Sequence, residues 1–173
     1  AVHSFCHTMK DTWHLMSVTL SAASCLKCYA DNIVHADVST LIDEPDVAQF
    51  YRPSNCYFIP YLSGERTPHN DPNLQGAFIG LTHSTTRLAM THAVLEGVSF
   101  AIALGVEALH NTGFTANDIT LIGGGSRSQY WRQMLSDVLN VDLCFRKGGE
   151  IGPALGAARL AQLGVDNTKS LEQ

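Results

Sequence analysis

The sequence predicts an α/β domain in which helices cover a β-sheet. In the second half of the chain, segments with strand and helix patterns alternate, as they do when helices pack on a sheet. Before them, residues 86–111 form a long apolar segment typical of a helix packed on more than one side. At 173 residues the chain has the size of about one domain. No repeat, low-complexity tract or linker interrupts it.

Composition and charge exclude several classes of protein. Apolar residues make up 45% of the chain and charged residues 16%, which excludes a disordered protein. With 11 basic and 16 acidic residues the formal net charge is −5, so binding to nucleic acid through bulk positive charge is not expected. The N-terminal segment has no signal-peptide pattern, so we expect neither export nor a membrane anchor.

Cysteine and histidine spacing predicts no metal site. The five cysteines are an odd number without a secretory signal, which indicates free thiols in a reducing cytoplasm. Cys25-Leu-Lys-Cys28 has the spacing of half a zinc or redox site, but the second ligand pair that zinc needs is missing. The eight histidines include no HExxH pair.

The N-terminal third predicts a hairpin followed by helices. Residues 2–7 and 13–19 carry β-branched and aromatic residues on either side of a polar turn, which indicates two paired strands. Ser21 is predicted to cap a helix that continues to about residue 31. Residues 32–55 are polar and mixed, with a short helix predicted near residues 46–51.

The middle of the chain predicts a strand, a loop and a long helix. Residues 56–61 (CYFIPY) have strand character, and residues 62–73 are rich in turn formers. Apolar residues lie nearly all the way round the helix at 86–111, which Asn111 and Gly113 end. Because Glu96 lies near its midpoint, we expect this helix to be buried in protein rather than in lipid.

The C-terminal third predicts the alternation on which the fold class depends. We expect a buried strand at residues 119–122, a helix at 129–139, a strand at 141–145 and a small-residue helix at 153–163. Residues 148–158 are rich in glycine and alanine, which favours close packing of that helix on the sheet.

Three glycines, Gly123, Gly124 and Gly125, lie between a predicted strand and a predicted helix. Without side chains they allow the backbone to approach a flat or anionic ligand closely. Ser126-x-x-Gln129 fits a capping box at the helix start. The segment is neither a dinucleotide fingerprint, because Ser128 replaces its third glycine, nor a Walker loop. From these residues alone, a binding loop and a tight structural turn are equally supported.

Other candidate residues are less specific. The loop SGERTP at residues 63–68 resembles a solvated turn, although such loops often carry function, and we place Arg66 near the rim of a cleft. Asp137 and Glu96 are expected to have structural roles. No nucleophile and base can be paired by spacing.

Seven segments together resemble one family, the FGGY carbohydrate kinases. They occur in the family's order and with its spacing, and they cover nearly everything except residues 32–55. The segments are AVHSFCH, WHLMSVTLSAASCL, YLSGERTPHNDP, GAFIGLTH, AVLEGV, TLIGGGSRSQYWRQMLSDVL and GPALGAARLAQ. YLSGERTP is similar to the xylulokinase branch of the family in bacteria.

The resemblance implies an actin-like ATPase (ribonuclease H-like) fold. Residues 1–173 would form most of the second, nucleotide-binding lobe of a two-lobe sugar kinase. The first lobe, with the sugar site, the catalytic aspartate and a phosphate loop, would precede Ala1, so we expect no catalytic residue here and no phosphorylation by the isolated chain. The implied reaction uses ATP and Mg²⁺ to phosphorylate D-xylulose in the cytoplasm, in a homodimer. The alternatives are a sister kinase for another ketose or polyol and a non-catalytic nucleotide-binding module.

The resemblance also implies which residues bind the nucleotide. The glycines match the family's adenosine motif, Ser128 matches a polar contact to adenine, and the start of a helix matches a second wall of the pocket. The residues concerned are Gly123, Gly124, Gly125, Ser128, Ala22, Cys25 and Leu26. Two positions depart from the family: Ala89 stands where an acidic, amide or histidine residue is expected, and Cys28 where close relatives carry tryptophan.

Overall fold

The computed structural model describes residues 2–50, 55–116, 118–145 and 152–166. Strands and helices are mixed along this part of the chain, so the predicted α/β class is confirmed. The strands are β1 (His3–Cys6), β2 (Trp13–Met16), β3 (Tyr57–Ile59), β4 (Ala77–Ile79), β5 (Ile119–Leu121) and β6 (Leu143–Phe145). The helices are α1 (Ala23–Tyr29), α2 (Val38–Val47), α3 (Arg87–His110), α4 (Gln129–Leu139) and α5 (Gly152–Val165). A π-helical turn at Ala30–Val34 and a 3₁₀ turn at Gly124–Arg127 complete the described elements.

The described strands form three pairs. β1 and β2 make the predicted antiparallel hairpin, with Cys6 opposite Trp13. β3 pairs antiparallel with β4, a strand of three residues that the sequence patterns did not predict. β5 and β6 are parallel, with Thr120 opposite Cys144. Since α4 connects them, they form a βαβ unit, the local arrangement that the alternating pattern predicted.

Helix α3 lies at the centre of the core. Thr86 caps its start by accepting a hydrogen bond from the Ala89 N–H at 3.2 Å, and Asn111 follows its end, as predicted. The sequence patterns did not predict the cap at Thr86. By length and composition α3 could cross a membrane, but 56% of its apolar window is buried inside the protein. Packing against α1, α2, α4 and β3 therefore accounts for its apolar character.

The N-terminus of α3 explains one departure from the family pattern. Ala89 is the third residue of the helix, the position from which an acidic or amide side chain reaches back to the capping residue in a capping box. Alanine cannot make that second hydrogen bond, so Thr86 caps the helix from one side only. The departure concerns the helix end and lies outside the cavity described below.

Helix α3 lies very close to β3 at Gly97. Gly97 faces the backbone of Phe58, and a Cβ at this glycine would lie 2.2 Å from the Phe58 carbonyl oxygen. Behind this contact the rings of Phe58 and Phe78 pack with centroids 4.7 Å apart. The missing side chain at Gly97 therefore sets the distance between helix and sheet.

Two predictions in the first half of the chain are wrong. Ser21 does not cap α1: the helix begins after Ala22, and no side chain caps it. The helix predicted near residues 46–51 is instead α2, which begins nine residues after α1 ends and contains Pro45 in its last turn. Leu41 and Pro45 are buried one turn apart on the same face, so tertiary packing places this helix.

The last third follows the prediction in its elements but differs in burial. α4 has the predicted bounds. The strand predicted as buried is only half-buried at Ile119 and Leu121, and Ile122 is exposed. α5 carries no buried residue. The glycines predicted to pack helix on sheet at residues 148 and 149 lie outside the described residues.

We expect Gly97→Ala to destabilise the fold by about 1–3 kcal/mol, because the new methyl group would push α3 away from β3. Gly164→Ala is the matched control, since a Cβ there meets no atom within 4 Å. Urea denaturation of both variants measures the difference. Equal stability of the two variants would contradict the close contact.

Candidate functional site

A cavity of about 680 Å³ opens between α1, α2 and the turn that precedes α4. The first wall is formed by α1 residues Ala23, Ser24, Leu26 and Lys27. The second is formed by α2 residues Val38, Ser39, Ile42 and Asp43. The third is formed by Gly124, Gly125, Arg127, Ser128 and Trp131. The predicted glycine motif therefore lies at the edge of a cavity of the size that binds small molecules.

The three glycines have different roles in the turn. Gly123 has φ +93°, a conformation that L residues rarely adopt. A Cβ at Gly124 would meet no atom within 4 Å, whereas a Cβ at Gly125 would lie 2.7 Å from the Trp131 ring. Gly124 thus leaves open space at the cavity, and Gly125 allows the indole to pack against the turn.

The capping box predicted at Ser126 and Gln129 is wrong. Ser126 donates its hydroxyl hydrogen to the Gly123 carbonyl at 2.6 Å, and Ser128 caps α4 by accepting from the Trp131 N–H at 3.3 Å. The 3₁₀ turn takes up the intervening residues, so the cap falls two residues later than the pattern indicated. Ser128 is 3% exposed, and its hydroxyl is committed to the helix cap while its side chain lines the cavity.

Trp131 is held by a buried hydrogen bond. Its indole N–H donates to the Ser99 hydroxyl of α3 at 3.0 Å, and the Ser99 hydroxyl donates to the Leu95 carbonyl at 2.8 Å. Both hydrogen-bonding groups are satisfied without water, so the indole has one well-defined position. This apolar surface of the cavity is therefore rigid.

Cys25, predicted in the pocket wall, points into the core instead. Its side chain is fully buried, and the thiol lies 3.2 Å from the Ser21 carbonyl oxygen and 3.3 Å from that of Pro60. Burial, with smaller effects from Cys28 and Glu65, raises the pKa of the Cys25 thiol to about 12. The residue after it, Leu26, reaches the cavity.

The predicted residues divide into two groups. Gly124, Gly125, Ser128 and Leu26 line the cavity. Gly123, Ala22 and Cys25 lie behind it, where they shape the turn and the start of α1. The structure thus brings the glycine turn and α1 together across one cavity, as the resemblance implied.

Sequence reasoning missed the α2 wall. Val38, Ser39, Ile42 and Asp43 are spaced so that they share one helical face, and this spacing could have been recognised if the helix had been placed correctly. Lys27 and Arg127 bring positive charge to the cavity, and Asp43 brings a carboxylate. Lys27 also forms an exposed ion pair with Asp31 at 2.7 Å.

The SGERTP loop is anchored from within. Glu65 is 2% exposed and accepts hydrogen bonds from the N–H groups of Leu20 at 3.0 Å and Arg66 at 2.7 Å. Thr67 and Val18 exchange two further hydrogen bonds. The loop is therefore tied to the segment after β2, with the Arg66 side chain exposed. Its position at a cleft rim stays a prediction.

No group of three or more histidine, cysteine, aspartate or glutamate residues within the described ranges is placed to hold a metal ion. Cys28 lies 3.5 Å from the Asn32 amide nitrogen.

The glycine turn thus lies beside a largely apolar cavity in a domain of mixed strands and helices. The sequence profile described as "FGGY family of carbohydrate kinases, C-terminal domain" matches residues 1–164, and the chain belongs to this family.

Within this family, the chain is similar to several individual kinases. Xylulose kinase of Escherichia coli K12 is 52% identical over 171 residues, covering 99% of this chain and 35% of the relative. A crystal structure of a xyloylose kinase from Brucella ovis matches 92% of the chain and 33% of its own length, with 47% identity and a TM-score of 0.84. Plasmodium falciparum glycerol kinase, crystallised with ADP, matches at 25% identity and a TM-score of 0.76, over 92% of this chain and 31% of its own. The chain spans about a third of the length of these relatives.

Cys25 is expected to resist alkylation in the folded protein, because a buried thiol with a raised pKa forms almost no thiolate at neutral pH. Cys6 and Cys144 are exposed and serve as internal references. Iodoacetamide labelling followed by peptide mass spectrometry gives the three rates. Labelling of Cys25 at the rate of Cys6 would show that the thiol is not buried as described.

Proposed function

We propose that this chain is the nucleotide-binding lobe of an ATP-dependent xylulose kinase and that the cavity binds the adenosine part of ATP. The observation that carries the proposal is the open backbone of Gly124 facing a cavity with apolar walls. A flat aromatic base can lie against such a backbone only where no side chain intervenes.

The cavity chemistry suits an adenine nucleotide. Leu26, Ile42 and Trp131 offer apolar surface for the base. Asp43 can accept a hydrogen bond from a ribose hydroxyl or from an exocyclic amino group. Lys27 and Arg127 bring positive charge for the phosphates. Gly123, Ala22 and Cys25 support these groups from behind.

The comparisons support the same ligand class. The glycerol kinase described above was crystallised with ADP, and its fold is shared by this chain. D-xylulose is the favoured sugar because 52% identity extends over 99% of this chain in the relative named xylulose kinase. A kinase for another ketose or polyol is the second candidate, since the glycerol kinase has the same fold at lower identity.

The proposed reaction transfers the γ-phosphoryl group of ATP to a hydroxyl of the sugar. This chain binds and orients the nucleotide, and an aspartate of the other lobe accepts the hydroxyl proton. Mg²⁺ would neutralise phosphate charge in such a reaction. We also infer that the complete kinase works in the cytoplasm as a homodimer.

A chimera tests the proposal. This chain replaces the segment of E. coli xylulose kinase that it matches, and coupled-assay turnover is measured with ATP and D-xylulose. We expect turnover by the chimera and ATP binding without turnover by the 173-residue chain alone. A folded chimera that binds ATP but does not phosphorylate would favour the non-catalytic module. A panel of ketoses and polyols on a complete kinase carrying this chain separates xylulose from other substrates.

Gly124→Val is expected to weaken ATP binding to the chain by at least about tenfold, or 1.4 kcal/mol. The side chain would project into open space, so the unfolding midpoint should change little. Gly156→Val in α5 is the matched control, because a Cβ there also meets no atom within 4 Å. Calorimetric titration with ATP measures both variants, and unchanged affinity in Gly124→Val would place the nucleotide elsewhere.

A further inference from the structure

The α2 wall of the cavity packs on the core through one face. Of its ten residues only Leu41 and Pro45 are buried, and no side chain caps its start. Its ion pair to α3, between Glu44 and Arg87 at 2.6 Å, includes an Arg87 side chain that is 51% exposed. Such exposed pairs stabilise a structure only weakly. Val38 and Ile42 add half-buried contacts to the core, and a further contact ties the end of α2 to its neighbouring helices.

The segment that follows α2 supplies this attachment. The Phe50 N–H donates to the Pro45 carbonyl at 2.8 Å, so Phe50 is tied to the last turn of the helix. Its carbonyl accepts a hydrogen bond from the hydroxyl of Tyr130 in α4 at 2.5 Å. Its ring packs edge-on against His92 of α3, with centroids 5.1 Å apart. One residue thus joins α2 to both neighbouring helices.

The number of available hydrogens determines which groups donate in the hydrogen bonds that join Phe50, Tyr130 and His92. Tyr130 has one hydroxyl hydrogen, which it donates to Phe50, so His92 Nδ1, 2.6 Å from the same oxygen, must be the donor to it. His92 Nε2 has no hydrogen-bond partner among the described residues, and Glu96 Oε1 lies 3.9 Å away. Burial lowers the pKa of His92 and raises that of Glu96.

We propose that Tyr130 and His92 are positioning residues that hold the α2 wall against the α4 wall and thereby set the width of the cavity. Tyr130 is 6% exposed and immediately precedes Trp131, which lines the cavity. A second contact, from the Ser128 hydroxyl to the Ile42 carbonyl, is long at 3.5 Å. The Tyr130 hydrogen bond is therefore the stronger link between the two walls.

Hydrogen exchange on the 173-residue chain tests the link without any ligand. Tyr130→Phe removes the hydroxyl and keeps the ring, so amides of α2 should exchange about threefold to tenfold faster while amides of α3 stay within twofold. His92→Leu should act in the same direction. His92→Asn keeps an amide donor near the position of Nδ1 and should restore slow exchange. Tyr61→Phe, which breaks an exposed Tyr–His hydrogen bond of 2.9 Å to His69, is the control.

Titration with ATP gives the functional readout and rests on the proposed function. Tyr130→Phe and His92→Leu should raise the Kd for ATP about threefold to tenfold, with His92→Asn and Tyr61→Phe within twofold of the original chain. Absence of ATP binding by the original chain would contradict the proposed function alone. Unchanged α2 exchange in Tyr130→Phe, or a general loss of protection in all helices, would overturn the positioning role.

Discussion

Helix α3 carries apolar residues nearly all the way round, and three of the helices that pack on it, α1, α2 and α4, line the cavity. Its apolar residues leave no broad polar face for solvent, so β3, α1, α2 and α4 all pack on it. At Gly97 the backbone of β3 approaches so closely that a methyl group cannot fit. Because α1, α2 and α4 all pack on α3, this packing sets their relative positions. The cavity opens between them.

Hydrogen bonds between polar side chains in this core fix the register of α4 on α3, which apolar packing alone does not specify. Ser99 of α3 accepts a hydrogen bond from the Trp131 indole N–H, and His92 of α3 donates one to the Tyr130 hydroxyl. Because an unsatisfied buried group costs about 1–3 kcal/mol, each of these pairs disfavours a sliding or rotated α4. Two consecutive residues of α4 are fixed to two positions of α3 two turns apart, so the helix has one register. This register also fixes the position of Trp131 in the cavity wall.

The role of each glycine in the turn becomes clear only from the residues that surround it in the fold. Gly123 takes the backbone conformation that the turn needs, Gly125 accommodates the indole, and Gly124 remains open. The same three letters in another protein would be compatible with a plain connection. Here the packing of Trp131 explains one glycine and the open cavity leaves another free for ligand contact.

The sequence by itself determined the elements that depend only on residues close together in the chain. The bounds of α4, the end of α3 at Asn111, the hairpin of β1 and β2 and the glycine turn follow from periodicity and turn chemistry within a few neighbouring residues. Four of the residues that the resemblance implied, Leu26, Gly124, Gly125 and Ser128, line one cavity.

Tertiary structure decided the rest, because the deciding contacts join residues far apart in the chain. α2 carries a proline and a weak pattern, and it is held by Leu41 in the core and by a hydrogen bond from Tyr130 to Phe50, 80 positions away. Cys25 and Leu26 are adjacent in sequence, yet Cys25 faces the core and Leu26 faces the cavity. The Cys25 thiol is held in the core by the carbonyl oxygens of Ser21 and Pro60. Local patterns carry no information on such partners, so the α2 wall and its anchor became visible only in the folded chain.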